Sequence, residues 1–199
     1  MIEALHALFS KQQLADELRA ESHSLLMARM RIGVMLGLVF IPSFIPLDYV
    51  RLPDHFAGAV LIRLLGGGLL MMLFVLFGLK ALEPWAEWLS ALAVTVISVT
   101  ILAIARFANG ASDPIYLVQA MSIIFLITGT ALLLPLDGKR ILLVTSIPLV
   151  MQTVMTLDYD LAANAPILVS SFTAVVVATV GAQTAFVARL GDYEGRKAK

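Results

Sequence analysis

The side chains able to do chemistry in this chain gather between its apolar runs rather than inside them. Asp48, Asp54, Asp113, Asp158 and Asp160 stand at one set of run ends, with His55 beside Asp54 and Arg51 and Arg106 opposing them. Five carboxylates against two cations attract positive charge. His55, Asp158 and Asp160 are the residues that a cation or other ligand on that face would meet. Loop carboxylates are more commonly just solvated, so neither a resident metal nor a cofactor is expected. One cation, Arg63, lies within an apolar run, and Asp48 stands just across a short connection from it. A charge surrounded by hydrocarbon is costly and faces protein or water. The short connection makes an Asp48–Arg63 ion pair feasible, with a structural role in pinning two helices together. The competing reading has Arg63 snorkel outward to lipid phosphate.

Neutral polar residues supply the second candidate. Gln119, Ser122, Gln152 and Gln183 lie within three later runs and are the residues of an expected intramembrane polar pocket for a small solute. Gln119 and Ser122 share a helix face, as do Thr179 and Gln183. Hydrogen bonds between helices are the plainer use of such groups.

Enzyme chemistry is not expected. The chain has no cysteine, which removes thiol nucleophiles, disulfides and iron–sulfur clusters. His6, His23 and His55 all lie outside the long apolar runs, so no run carries a histidine ligand or base. No run holds paired carboxylates, and no glycine-rich phosphate loop with its lysine is present. Asp137-Gly138-Lys139-Arg140 reads as a tight turn without the further aspartates of a lipid head-group transferase. The absence of an acidic residue at the centre of any run weakens proton- or cation-coupled transport.

The elements that must position these groups follow from composition. Of 199 residues 60% are apolar and 14% charged, with a mean hydropathy of +0.93. A soluble domain carries about 25% charge, so this chain cannot cover a water-facing surface. A helix crossing a bilayer needs about 20 mainly apolar residues. Six runs meet or approach that length: Ile32–Val50, Phe56–Leu79, Trp85–Phe107, Pro114–Leu136, Ile141–Leu157 and Pro166–Ala188. The expected fold is therefore an all-α polytopic membrane protein of six transmembrane helices. Pro84, Pro114 and Pro166 are read as openers of runs, and Asp113 as a helix cap. Pro42, Pro46 and Pro148 are expected to bend or loosen their helices.

With the N-terminus in the cytoplasm, eleven lysines and arginines fall on the inner side and two, Arg51 and Arg106, on the outer. That asymmetry predicts both termini inside. Net charge is zero, so nucleic acid is not an expected partner. Residues 1–31 are expected to form a cytoplasmic amphipathic helix lying on the inner leaflet, or pairing two protomers. Residues 32–188 form the bundle, and 189–199 continue the last span into water.

A further expectation comes from local sequence. The first span ends Phe44-Ile45-Pro46-Leu47-Asp48-Tyr49-Val50-Arg51-Leu52-Pro53-Asp54-His55-Phe56, and the second contains Leu61-Ile62-Arg63-Leu64-Leu65. Ala28-Arg29-Met30-Arg31 precedes the first span, and a charged helix leaves the sixth. Over residues 28–190 this pattern resembles the six-helix N-terminal sensor modules of some bacterial histidine kinases and class III adenylate or guanylate cyclases. The resemblance implies a dimeric receptor in the bacterial inner membrane that regulates a cytoplasmic cyclase or kinase domain. It also implies that Asp48 and Arg63 occupy recurring structural positions. The output domain is expected to be absent from this chain, which leaves an anchor or sensor module. The alternative function is a small-solute binding subunit of a vitamin-type transporter.

Overall fold

The computed structural model describes residues 2–108, 113–156 and 161–197. The protein is all-helical, with no strand among the described residues. Its helices are α1 (Ile2–Ser43), α2 (Ile45–Arg51), α3 (Phe56–Leu76), α4 (Ala86–Ala105), α5 (Pro114–Leu133), α6 (Gly138–Thr156) and α7 (Leu161–Lys197). Short 3-10 turns at Pro53–His55 and Lys80–Trp85 lead into α3 and α4.

Local sequence explains most of the boundaries. Pro42 and Pro46 cannot donate backbone hydrogen bonds, and the first span breaks between them, at Phe44. Asp113 caps α5 by accepting from the Ile115 amide at 2.8 Å, with Pro114 at the first helical position. Pro84 sits inside the 3-10 turn just before α4. Pro148 is accommodated inside α6 without a break. Pro166, expected to open its run, instead lies inside α7, which begins at Leu161.

Five stretches are long and apolar enough to cross a membrane: His23–Arg51, Pro53–Leu76, Lys80–Ala105, Pro114–Leu133 and Asn164–Tyr193. The expected sixth, in α6, does not join them. Its 19 residues include Lys139, Arg140, Thr145, Ser146, Gln152, Thr153 and Thr156, which dilute its apolar character. The first run also differs from expectation. Nothing between Ile2 and Arg31 is proline or glycine, and α1 passes residue 31 without a break. A separate helix lying in the membrane plane would need a joint that α1 does not contain.

Packing places α4 in the middle, against α1 and α3 on one side and α5 and α6 on the other; α7 closes over α5 and α6. The core runs from Met30 and Val34 on α1 through Leu70 and Leu73 on α3 to Ile123 and Ile127 on α5. Thr100 on α4 lies where a side chain at Gly66 would have to go, so those two helices approach closely. Gly67 and Gly68, next along α3, face open space. The outside of the bundle is as apolar as the inside: Phe125 is 76% exposed and Leu132 77%. Side chains of this kind around the whole circumference suit hydrocarbon and not water.

The early part of α1, at His23, and the late part of α7, at Arg189, lie at one end of the bundle, beside the starts of α4 and α6. This is the terminal end, and the opposite one, with Asp48 and Arg63, is the far end. An α-helix rises about 1.5 Å per residue, so α1, with 42 residues, is about 63 Å long and α7, with 37, about 55 Å.

Candidate functional site

The far end is organised around the Asp48–Arg63 pair. Asp48 lies on the short α2 and Arg63 in the second turn of α3, and each is only 4% exposed. The guanidinium grips the carboxylate with two donors: Nη2 reaches Oδ1 at 2.8 Å, and Nε donates to Oδ2. A planar fork on a carboxylate is the strongest common ionic hydrogen-bond geometry. The third donor, Nη1, reaches the Ile41 carbonyl at 3.2 Å. That carbonyl belongs to the last turn of α1, where acceptors lack helical partners. Arg63 therefore ties together α1, α2 and α3, and its guanidinium also lies 5.4 Å from the Phe44 ring centre. It does not snorkel. The part played by the Ile41 carbonyl was missed in the sequence, although Pro42 marked the turn where free acceptors would occur.

The remaining far-end candidates separate. The His55 ring stacks on Phe107 at 5.0 Å, nearly parallel. Asp158 and Asp160 lie outside the described residues. Among the described residues no three His, Asp or Glu side chains converge in a way that could hold a metal ion.

The four residues of the expected polar pocket do not all converge either. Gln152 is 2% exposed, and its Oε1 accepts from Ser171 of α7 at 2.7 Å. Gln119 is buried on α5. Ser122 instead donates to the Val118 carbonyl of its own helix. Gln183 is exposed at the terminal end, where its Oε1 accepts from the Gly138 amide at 3.0 Å. Ser171 and Gln183 are twelve residues apart on α7, or about 18 Å along its axis. Position along the helix therefore separates Gln183 from the Gln152–Ser171 pair. What forms in the far half of the bundle is a buried polar layer about two helical turns deep, of different membership. Tyr116 donates to Asn164 at 2.6 Å, tying α5 to α7, and the Ser171–Gln152 bond ties α6 to α7 about 10 Å further along α7. Gln152 Nε2 is buried without a hydrogen-bond partner.

The terminal end holds a cluster that the sequence pattern does not assemble. Glu87, at the start of α4, accepts from Arg140 of α6, and His23 Nε2 of α1 lies 3.5 Å from the same carboxylate. Asp137 accepts from the Arg140 amide at 3.0 Å, capping α6, and its carboxylate lies 3.8 Å from Arg140 Nε. Arg189 of α7 donates to the Pro135 carbonyl at 3.2 Å. The group thus joins α1, α4 and α6 directly and reaches α7 through the 134–137 connection. The one sequence signal was Glu87 itself, a carboxylate on the side of the runs where most lysines and arginines gather.

As chemistry these arrangements hold helices; none pairs a nucleophile with a base. Comparison of the chain with protein-family models, with curated proteins and with solved structures finds no match.

Proposed function

We propose that this chain is the membrane module of a sensor, which regulates a cytoplasmic cyclase- or kinase-like output domain in signal transduction. The observation that carries the reading is the form of the first and last helices. α1 and α7 run unbroken through the apolar bundle and beyond it at the same end. Past the contacts at the terminal end, α1 continues for about 32 Å before His23 and α7 for about 12 Å after Arg189, length with which to pass a shift to a domain outside. The cluster of His23, Glu87, Arg140 and Asp137 lies at the base of those projections.

The same reading has α6 as a sixth crossing, since its 19 residues span about 29 Å. The eleven-to-two division of lysine and arginine then favours termini in the cytoplasm of a bacterial inner membrane. A homodimer is the natural assembly, because two copies would bring two sets of projecting helices to one output.

The test is a fusion of the chain to a cyclase catalytic domain, with one to four residues inserted after Lys197. Each inserted helical residue turns the attached domain by about 100°. Activity is expected to rise and fall with helical period. Activity that ignores both the module and the insertions would overturn the proposal.

A second reading, a small-solute binding subunit, is favoured by one observation: the unpartnered Gln152 amide inside the α5–α7 layer. Saturable binding of a vitamin-sized polar solute, lost in Gln152→Leu, would select it over the sensor.

A further inference from the structure

A groove of about 400 Å³ opens at the terminal end between α1 and the α3–α4 connection. Its polar rim carries Arg31, Lys80 and Glu83, and its floor includes Ile32, Met35 and Phe74. We propose that this groove binds a glycerophospholipid with an ethanolamine head group, its phosphodiester held by Arg31 and Lys80 and its ammonium by Glu83.

Charge complementarity argues for this occupant. Among the described residues, none of the three rim groups forms an ion pair with another side chain of the protein. This contrasts with Asp48, Arg63, Glu87 and Arg140, which all do. The two cations can share the single negative charge of a phosphodiester, and the carboxylate can take the ammonium of the same head group. Arg31 is also oriented: its guanidinium lies 4.6 Å above the Phe74 ring, a cation–π contact that holds it at the rim. Beneath the rim, Ile32 is 52% exposed and Met35 48%, an apolar track beside which an acyl chain can lie. A free phosphate would use the two cations alone. A lipid also covers the track and gives Glu83 a partner.

The inference rests on the proposed membrane reading, which puts this rim at head-group depth. The experiment separates the two. The full chain is first reconstituted into lipid nanodiscs; failure to incorporate would overturn the membrane reading itself. Protein purified in detergent is then exposed to phosphatidylethanolamine, phosphatidylglycerol, diacylglycerol or inorganic phosphate. Bound lipid is counted by native mass spectrometry, and circular dichroism checks that each variant keeps its helices.

Phosphatidylethanolamine is expected to be retained about tenfold better than diacylglycerol, the scale of one charge-assisted hydrogen bond. The double variant Arg31→Ala/Lys80→Ala should abolish that advantage. Glu83→Gln should erase the preference for ethanolamine over glycerol head groups while leaving phosphate recognition intact. Equal retention of the ethanolamine and glycerol lipids by the unaltered protein overturns the proposal. So does full competition by inorganic phosphate, or retention that is indifferent to Arg31 and Lys80. If the groove is instead covered by a second copy of the chain, the spectra show dimers without selective lipid, which also overturns it.

Discussion

At the far end Asp48 and Arg63 are each 4% exposed and hold one another in a two-donor grip. At the terminal end the side chains of His23 and Glu87 each keep 28% of their surface exposed, and that of Arg140 33%. The same charge types are used, but the solvation differs, and solvation decides what each contact can do. Breaking a buried pair strands a charge in a low-dielectric interior. Breaking a half-exposed pair returns both partners to water at little cost. The far end is thus built as a fixed staple, and the terminal end as a contact that can rearrange. In the proposed sensor, whose output would leave by α1 and α7, that division would suit transmission: one end holds register while the other yields.

The strongest way to break this comparison is to unpair the staple. Arg63→Gln leaves the Asp48 carboxylate buried alone and strips the Ile41 carbonyl of its donor. The expected loss of stability is about 3–5 kcal/mol, read as thermal unfolding in detergent. Asp48→Asn instead strands the Arg63 cation, which cannot lose its charge, so a loss of similar size is expected, softened only by the hydrogen bond that the asparagine oxygen can still accept. The double variant should lose less than the sum of the two. Strict additivity would mean that the residues do not interact, and the far end would then be no staple.

A second test concerns a tight contact at the yielding end. A Cβ at Gly138 would lie 2.8 Å from Gln183 Cβ and 2.9 Å from the Thr179 carbonyl. The carbonyl cannot move without shifting α7. Gly138→Ala is therefore expected to cost about 1–3 kcal/mol. Gly67→Ala, which faces open space, should be neutral or stabilising by up to about 1 kcal/mol. Equal effects at the two sites would mean that α6 and α7 do not meet as closely as the contact requires. The terminal end would then be loose in its backbone as well as in its charges.

How much of this molecule is legible in its sequence depends on the kind of signal each feature leaves. The all-helical, membrane-suited character needed only the apolar runs. The nearness of Asp48 to Arg63 came from a short connection between two runs. The polar layer was not legible, because a helix rotation of about 100° per residue decides whether a glutamine faces a neighbour or the outside. Gln152 turned inward and Gln183 outward, and nothing in their neighbours' residue types separates them. The His23–Glu87–Arg140 contact was hidden for a related reason. It joins residues 64 and 53 positions apart, which only the packing of α4 between α1 and α6 brings together.

The polar layer supplies a third, smaller test. Ser171→Ala removes the one hydrogen bond made by the Gln152 side chain and leaves both its amide atoms buried without partners. A loss of about 1–2 kcal/mol is expected. Adding Gln152→Leu removes the stranded amide altogether, so the double variant should recover most or all of that loss. A double variant weaker than Ser171→Ala alone would show that the Gln152 amide has a partner of its own, such as an ordered water or a bound solute.

The smallest expected effect lies at the terminal cluster and bears most directly on the contrast between the two ends. Glu87→Gln removes the carboxylate that both His23 and Arg140 approach. Arg140 keeps Asp137 as a neighbour, and all the freed groups remain accessible to water. The expected cost is below about 1 kcal/mol. At 1 M salt the screening length falls to about 3 Å, so adding salt should narrow the small gap between the variant and the unaltered protein. Salt should leave the much larger gap for Arg63→Gln nearly unchanged, since ions do not enter the buried site. In the cyclase fusion, Glu87→Gln should still alter output, because it frees α1 from α4 at the base of the projecting helix. A stability loss as large as that of Arg63→Gln, or one insensitive to salt, would show that the cluster is a second staple and that the two ends are built alike.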